Sequence, residues 1–262
     1  MTSTMEISVQ NERFNCRVDG RADGPVVVLS NSLGTNLTMW NEQLPALAQR
    51  FRVFRYDTRG HGASSVTPGP YTIPKLGRDV LGLLDALEIR RVHFCGLSMG
   101  GMTGMWLALN APERIDRLVL ANTAPQIGTD EVWNARIEAV RKGGMEAIAE
   151  AVLERWFTAG FRQGAPVTVA RIRAMLTETP AEGYIANCAA IRDMDQREAI
   201  RAIRHPTLVI AGTHDPATTA ADGRKMAEAI AGARYVELDA AHISNIEKAE
   251  RFSAELTRFL AS

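Results

Sequence analysis

The 262-residue chain has little that would tie it to a membrane, a nucleic acid or an oxidising compartment. Thirty Lys and Arg balance thirty Asp and Glu, so there is no basic footprint for nucleic acid or for an anionic membrane surface. No segment approaches the roughly 18 uninterrupted apolar residues of a membrane span. The opening "MTSTMEISVQ" has neither a basic start nor an apolar run, and no signal peptide is expected from it. Only three cysteines occur, Cys16, Cys95 and Cys188. They are far apart and odd in number, which disfavours a disulfide framework and fits a reducing cytoplasm. No Cys/His cluster has the spacing of a zinc site.

What is present, 46% hydrophobic and 23% charged, has the balance of a soluble globular protein. Short β-rich runs alternate with helical patterns. Met5–Gln10 and Phe14–Val18 look like an opening hairpin. Then come "VVVLS" (26–30), "FRVFRYD" (51–57), "VHFCG" (92–96), "RLVLAN" (117–122), "TLVIAG" (207–212) and "RYVELD" (234–239). The most apolar of these read as strands buried on both faces, as in a parallel sheet covered by helices. Leu76, Val80, Leu83, Leu84 and Leu87 share one helical face. Pro45 marks a helix start, Met99–Leu109 reads as a helix ending before Pro112, and Lys248–Leu260 is amphipathic. Between Thr123 and Arg204 there are helical patterns and no convincing strand. The clearest are "VWNARIEAVRKGGMEAIAEAVLERWF" and "VTVARIRAMLTET". About 80 residues is too long for a plain crossover. The expected fold is therefore α/β: a mostly parallel eight-stranded sheet flanked by helices, formed by residues 1–123 and 205–262, with a helical cap, 124–204, inserted after the sixth strand.

Ligands of open parallel sheets bind beyond the carboxyl ends of the strands. The polar residues there are Asn31 and Ser32 after "VVVLS", Ser98 after "VHFCG", Thr213, His214 and Asp215 after "TLVIAG", and His242 after "RYVELD". Gly96-Leu97-Ser98-Met99-Gly100 matches the nucleophile elbow G-x-S-x-G, in which a tight strand-to-helix turn presents the serine. Its small neighbours let strand and helix close on each other. The helix that follows directs N–H groups and its positive end at developing negative charge.

A serine needs a base, and five histidines compete for the role. His93 and His205 lie at the wrong ends of strands. His61 follows the "RYD" strand. His214 would precede its own acid, whereas His242 with Asp215 satisfies the chain order serine, acid, histidine. Asp57 reads as a turn-stabilising carboxylate, and Asp239 sits too close in sequence to His242 to reach its ring. Asp215 would hold the imidazole tautomer and stabilise the imidazolium. The backbone N–H of Leu33, in the loop after "VVVLS", would join that of Met99 as an oxyanion hole.

In order along the chain, "NSLGTNLTMW", "FRYDTRGHGASS", "HFCGLSMGGMTG", "RLVLANTA", "GTHDPAT" and "AAHISNIE" resemble the α/β-hydrolases, and more narrowly the 3-oxoadipate enol-lactone hydrolases of bacterial aromatic catabolism. The elbow and D-x-R-G-H-G-x-S are widespread in the larger family. The combination with "NSLGTNLTMW" and "CGLSMGGM" is more particular to the enol-lactonases. Asn31-Ser32 stands where many α/β-hydrolases have His-Gly, which suits the narrower resemblance. The family's triad falls on Ser98, Asp215 and His242. Some relatives carry a fused carboxymuconolactone decarboxylase, a second domain not expected here.

The resemblance implies hydrolysis of the enol-lactone to 3-oxoadipate through an acyl-enzyme, with no metal or organic cofactor and a small lactone as the partner. The carboxymethyl arm of that substrate calls for a cationic or hydrogen-bonding group. Arg136, Arg192 and Arg197 are cap candidates. Arg192, which follows an apolar stretch, is expected to point inward, and Trp133 to wall the pocket. Trp156, Phe157 and Phe161 read as cap core, and Trp40 as packing beneath the first loop. A general carboxylesterase or cofactor-free perhydrolase on the same fold is the alternative, and a non-catalytic small-molecule receptor a further one. Haloalkane dehalogenases and epoxide hydrolases are disfavoured, because aspartate replaces serine at their elbow.

Overall fold

The computed structural model describes residues 3–262. Eight strands form one sheet: β1 (Ser3–Val9), β2 (Glu12–Gly20), β3 (Val26–Ser30), β4 (Arg52–Tyr56), β5 (Val92–Leu97), β6 (Ile115–Ala121), β7 (Thr207–Gly212) and β8 (Arg234–Leu238). Their order across the sheet is β1-β2-β4-β3-β5-β6-β7-β8. The first hairpin turns through Gln10 and Asn11, both at positive φ, as a two-residue hairpin loop requires. β2 pairs antiparallel with β4, and every later pairing is parallel. β5 and β7 are buried along their whole length, which explains their uninterrupted apolar sequence.

The helices are α1 (Leu44–Leu47), α2 (Ile73–Ala86), α3 (Met99–Asn110), α4 (Asp130–Gly143), α5 (Ala149–Trp156), α6 (Ala159–Gly164), α7 (Pro166–Thr177), α8 (Ala181–Arg192), α9 (Ala220–Ala229), α10 (Ser244–Glu247) and α11 (Ala249–Leu260). Pro45 lies in the first turn of α1. Thr72 and Thr129 cap α2 and α4, each hydroxyl accepting a first-turn N–H. Five helices, α4–α8, and no strand among the described residues separate β6 from β7. One helical pattern divides where the sequence suggested continuity. α4 ends at Gly143, Gly144 takes φ +67°, and α5 begins only at Ala149. A glycine in the left-handed region stops a helix at little cost. No helix among the described residues is long and apolar enough to cross a membrane.

Candidate active site

Parallel pairing of β3, β5, β6, β7 and β8 brings their carboxyl ends to one edge, and the polar residues beyond them meet there. Ser98 sits between β5 and α3 at φ +56°, ψ −116°. A non-glycine residue in that region is strained, and its surroundings impose the conformation. Ser98 N–H donates to Ala121 O at 2.9 Å. A Cβ added at Gly96 would lie 2.1 Å from Gly100 O, and one at Gly100 would lie 2.3 Å from Ser30 O. Only hydrogen at both positions lets strand, turn and helix approach this closely. The Ser98 hydroxyl makes no hydrogen bond among the described residues.

Beyond β7 and β8, His242 Nδ1 lies 2.8 Å from Asp215 Oδ2, and both side chains are almost wholly buried. The carboxylate is held on both oxygens. Oδ1 accepts the N–H groups of Ala217 and Thr218, and Oδ2 accepts from Thr218 Oγ1 at 2.7 Å and from Asn122 Nδ2 at 3.0 Å. Burial alone would raise the Asp215 pKa. The charge of His242 and the hydrogen bonds from His242 and Thr218 outweigh it, so the carboxyl titrates below its ordinary value. Nδ1 of His242 is thus committed to the acid, which leaves Nε2 as the ring's proton acceptor. His214 instead pairs with exposed Asp239.

The loop after β3 is built as firmly. Asn31 bridges Trp40 Nε1 and Tyr56 O, so Trp40 does pack beneath the loop. Asp57 accepts from Leu37 N, Ala63 N and Asn15 Nδ2, a turn carboxylate as expected. Gly34 N–H donates to Nε2 of fully buried His61 at 2.9 Å. Burial pushes the pKa of His61 down to about 4, against a smaller opposing effect of its contact with Arg59 O. The N–H groups of Leu33 and Met99 meet no acceptor among the described residues, and Met99, as the first residue of α3, has none within its helix.

A partly open cavity of about 250 Å³ joins these parts. Ser32, Leu33, Ser98 and His242 line it on the sheet side. Trp133, Arg136, Arg155, Trp156 and Tyr184 line it from α4, α5 and α8. Trp133 therefore stands where the sequence suggested, with Nε1 donating to Ile127 O. Arg192 does not. Its guanidinium pairs with Asp193 and reaches Asn134 outside this cavity. At the last residue of α8 it finds an acid next to it and an outward path to solvent. Arg136 and Arg155 take the inward positions. Arg136 lies over the Trp133 ring, 4.8 Å from its centroid, and neither arginine forms an ion pair among the described residues. Trp156 also touches the cavity as well as the core, whereas Phe157 is core alone. Arg197 pairs with exposed Asp195.

A serine at a strained turn, an acid–histidine pair and two unpaired N–H groups around one cavity suit acyl transfer. The sequence profile of the alpha/beta hydrolase fold matches residues 25–249. The chain belongs to the α/β-hydrolase family. This α/β-hydrolase is 45% identical over 247 residues to 3-oxoadipate enol-lactonase 2 of Acinetobacter baylyi, covering 94% of this chain and 92% of the relative. It is 40% identical over 260 residues to 3-oxoadipate enol-lactonase 1 of the same organism, covering 99% and 97%. The solved enol-lactonase from Burkholderia xenovorans LB400 matches it with a TM-score of 0.97 at 52% identity, covering 98% of this chain and all of that one. The resemblance read from six short stretches is borne out.

For this α/β-hydrolase the sequence reading named Arg136 among its candidates but preferred Arg192, and it missed Arg155. Arg136 follows Trp133 by three residues and so shares its helical face, a signal that could have singled it out among the arginines. Nothing comparable marks Arg155, whose direction depends on how α5 packs.

Proposed function

We propose that this α/β-hydrolase opens 3-oxoadipate enol-lactone to 3-oxoadipate in the β-ketoadipate route of aromatic catabolism, with Ser98 as nucleophile, His242 as base and Asp215 as the acid that orients it. His242 Nε2 takes the Ser98 proton as Oγ attacks the lactone carbonyl. The negative charge collects on the former carbonyl oxygen and is received by the N–H groups of Leu33 and Met99. When the ring C–O bond breaks, the leaving oxygen takes the proton from His242 as an enol, which stays attached through the acyl chain and ketonises. Water then gives a proton to His242 and cleaves the Ser98 ester. No metal or organic cofactor has a part in these steps. Residues 124–204 act as the cap on a core formed by 1–123 and 205–262. Three buried free cysteines suit a cytoplasmic setting.

One observation carries the choice of substrate: Arg136 and Arg155, neither in an ion pair among the described residues, line the cavity that holds Ser98. They replace Arg192 as the groups that receive the substrate carboxylate. A neutral ester would leave both charges unanswered in a partly desolvated wall. Trp133 holds Arg136 in place from behind. The names of the relatives point to the same substrate. The test is loss of the ultraviolet absorbance of the enol-lactone on adding pure protein. Rapid turnover of simple aryl esters with none of the lactone would favour a general carboxylesterase instead. Folded protein inert to both, and to a fluorophosphonate, would favour a receptor.

A further inference from the structure

The two N–H groups assigned to the oxyanion hole belong to the peptides Ser32–Leu33 and Ser98–Met99. A trans peptide is planar, so its N–H points away from its own C=O. Fixing the carbonyl oxygen from one side therefore fixes the N–H on the other. Both carbonyls are fixed in the same way. Ser32 O accepts Thr35 Oγ1 at 2.8 Å and Thr35 N at 3.3 Å. Ser98 O accepts Thr123 Oγ1 at 2.7 Å and Met102 N at 3.1 Å. Each oxygen thus receives one buried threonine hydroxyl and one backbone N–H. Thr35 and Thr123 are 2% and 3% exposed, come from different parts of the chain and do not themselves line the cavity.

Orientation is half of the effect. A hydrogen bond to an amide oxygen draws electrons away from its nitrogen and makes the N–H on the far side a better donor, as in any hydrogen-bonded chain of peptides. The gain is greatest when the acceptor beyond the N–H is fully charged, which happens only at the tetrahedral stage.

We propose that Thr35 and Thr123 are paired positioning residues, each holding and polarising one oxyanion-hole peptide from behind. This rests on the reading of Ser98 as nucleophile and of Leu33 and Met99 as the oxyanion donors. The two threonines act through the peptides and do not touch the substrate. Thr35 Oγ1 also lies 3.0 Å from Met39 Sδ, but the carbonyl is the stronger acceptor and takes the single proton. Thr123 further packs against Gly101 of α3, where an added Cβ would come within 2.5 Å of its methyl group. Its side chain is therefore locked in place rather than free to rotate.

The test uses Thr35→Val and Thr123→Val, which keep shape and remove the hydroxyl, with Thr35→Ala and Thr123→Ala as the second pair should a valine variant fail to fold. Each is expected to lower kcat about 3- to 20-fold, below the roughly 10²–10³ of losing an oxyanion donor outright, with KM within about twofold. Binding of a phenylboronic acid, which forms a tetrahedral adduct on serine, is expected to weaken by the same factor as kcat. The carbonyl stretch of a cinnamoylated Ser98 is expected to move to higher frequency. Thr→Ser at either position is expected to recover most of the lost rate. A merely structural role would lower stability without coupling kcat to boronate affinity. Folded variants with kcat and boronate affinity within twofold of wild type overturn the proposal, as does a loss of kcat without a matching loss of boronate affinity. Wild-type labelling by a fluorophosphonate separates the two readings. An inert wild type sinks the function and this inference together, whereas a reactive wild type with unaffected variants sinks this inference alone.

Discussion

Arg136 and Arg155 bring two guanidinium groups to one wall of the cavity, close enough that, after burial, the charge of Arg136 is the next cause holding the Arg155 pKa below its ordinary value. Like charges brought together repel, and Glu154 offsets this at Arg155 only in part. An anion entering between them relieves it.

The relief should appear as selectivity. Arg136→Gln and Arg155→Gln are each expected to cost about 10- to 100-fold in kcat/KM for the enol-lactone, the usual scale of a charge-assisted hydrogen bond, mostly through KM. Turnover of a neutral aryl ester should hold or rise. Steady-state kinetics on the two substrates checks both, and equal losses on both would assign the arginines to packing instead.

Removing the nucleophile separates chemistry from fold. Ser98→Ala is expected to lose activity on the order of 10⁶-fold in kcat, with an unchanged melting transition, because the strained turn is imposed by its neighbours. Retention of lactonase activity within about tenfold of wild type would rule out the covalent mechanism.

The elbow itself should tolerate no side chain at its first glycine. In Gly96→Ala the new methyl would sit 2.1 Å from Gly100 O, a backbone atom that cannot swing away. Overpacking of this kind costs about 3 kcal/mol or more. Urea denaturation of the variant, or its failure to accumulate as folded protein, reads the outcome.

Why the sequence disclosed Ser98, Asp215 and His242 but not Arg155, Thr35 or Thr123 follows from the kinds of constraint involved. The strand ends are marked locally by apolar runs stopping at small or polar residues, and parallel topology brings those ends together, so the constellation needs no knowledge of side-chain direction. The helices between β6 and β7 are different. Arg136 and Arg192 both lie on helices, and which of them faces the cavity depends on how α4 and α8 roll against the sheet. Arg192 follows an apolar stretch, yet an adjacent acid at a helix end draws it to solvent. Thr35 and Thr123 act on backbone carbonyls, an interaction that almost any threonine in a loop could make. Their role emerges only when the peptides they hold are seen to carry the unpaired N–H groups.

His61 gives a pH signature that is separate from His242. Its pKa falls from 6.5 to about 4 in the folded protein, so between those values the unfolded chain binds a proton that the folded chain refuses. Its contribution is fully present above pH 6.5 and is lost as the pH falls towards 4, on the order of 3 kcal/mol in all. His61→Gln, whose amide oxygen can still accept the Gly34 N–H, should flatten this part of the stability curve. Denaturation midpoints measured at intervals across the window check it, and identical slopes in wild type and variant would place the titration elsewhere.

The hydrogen bonds behind His242 tie it to α5. Its N–H and that of Ile243 donate to Arg155 O and Trp156 O, at the end of α5, at 3.4 and 3.0 Å. Glu247 joins the two sides again, accepting Ala241 N at 2.9 Å together with the N–H and hydroxyl of Thr158. The roof of the cavity and the base are therefore one piece of masonry. Moving the end of α5 would strain the backbone on which the imidazole is carried. The end of α5 and the loop that carries the base thus share one set of hydrogen bonds, so a substitution that loosens either is felt by the other.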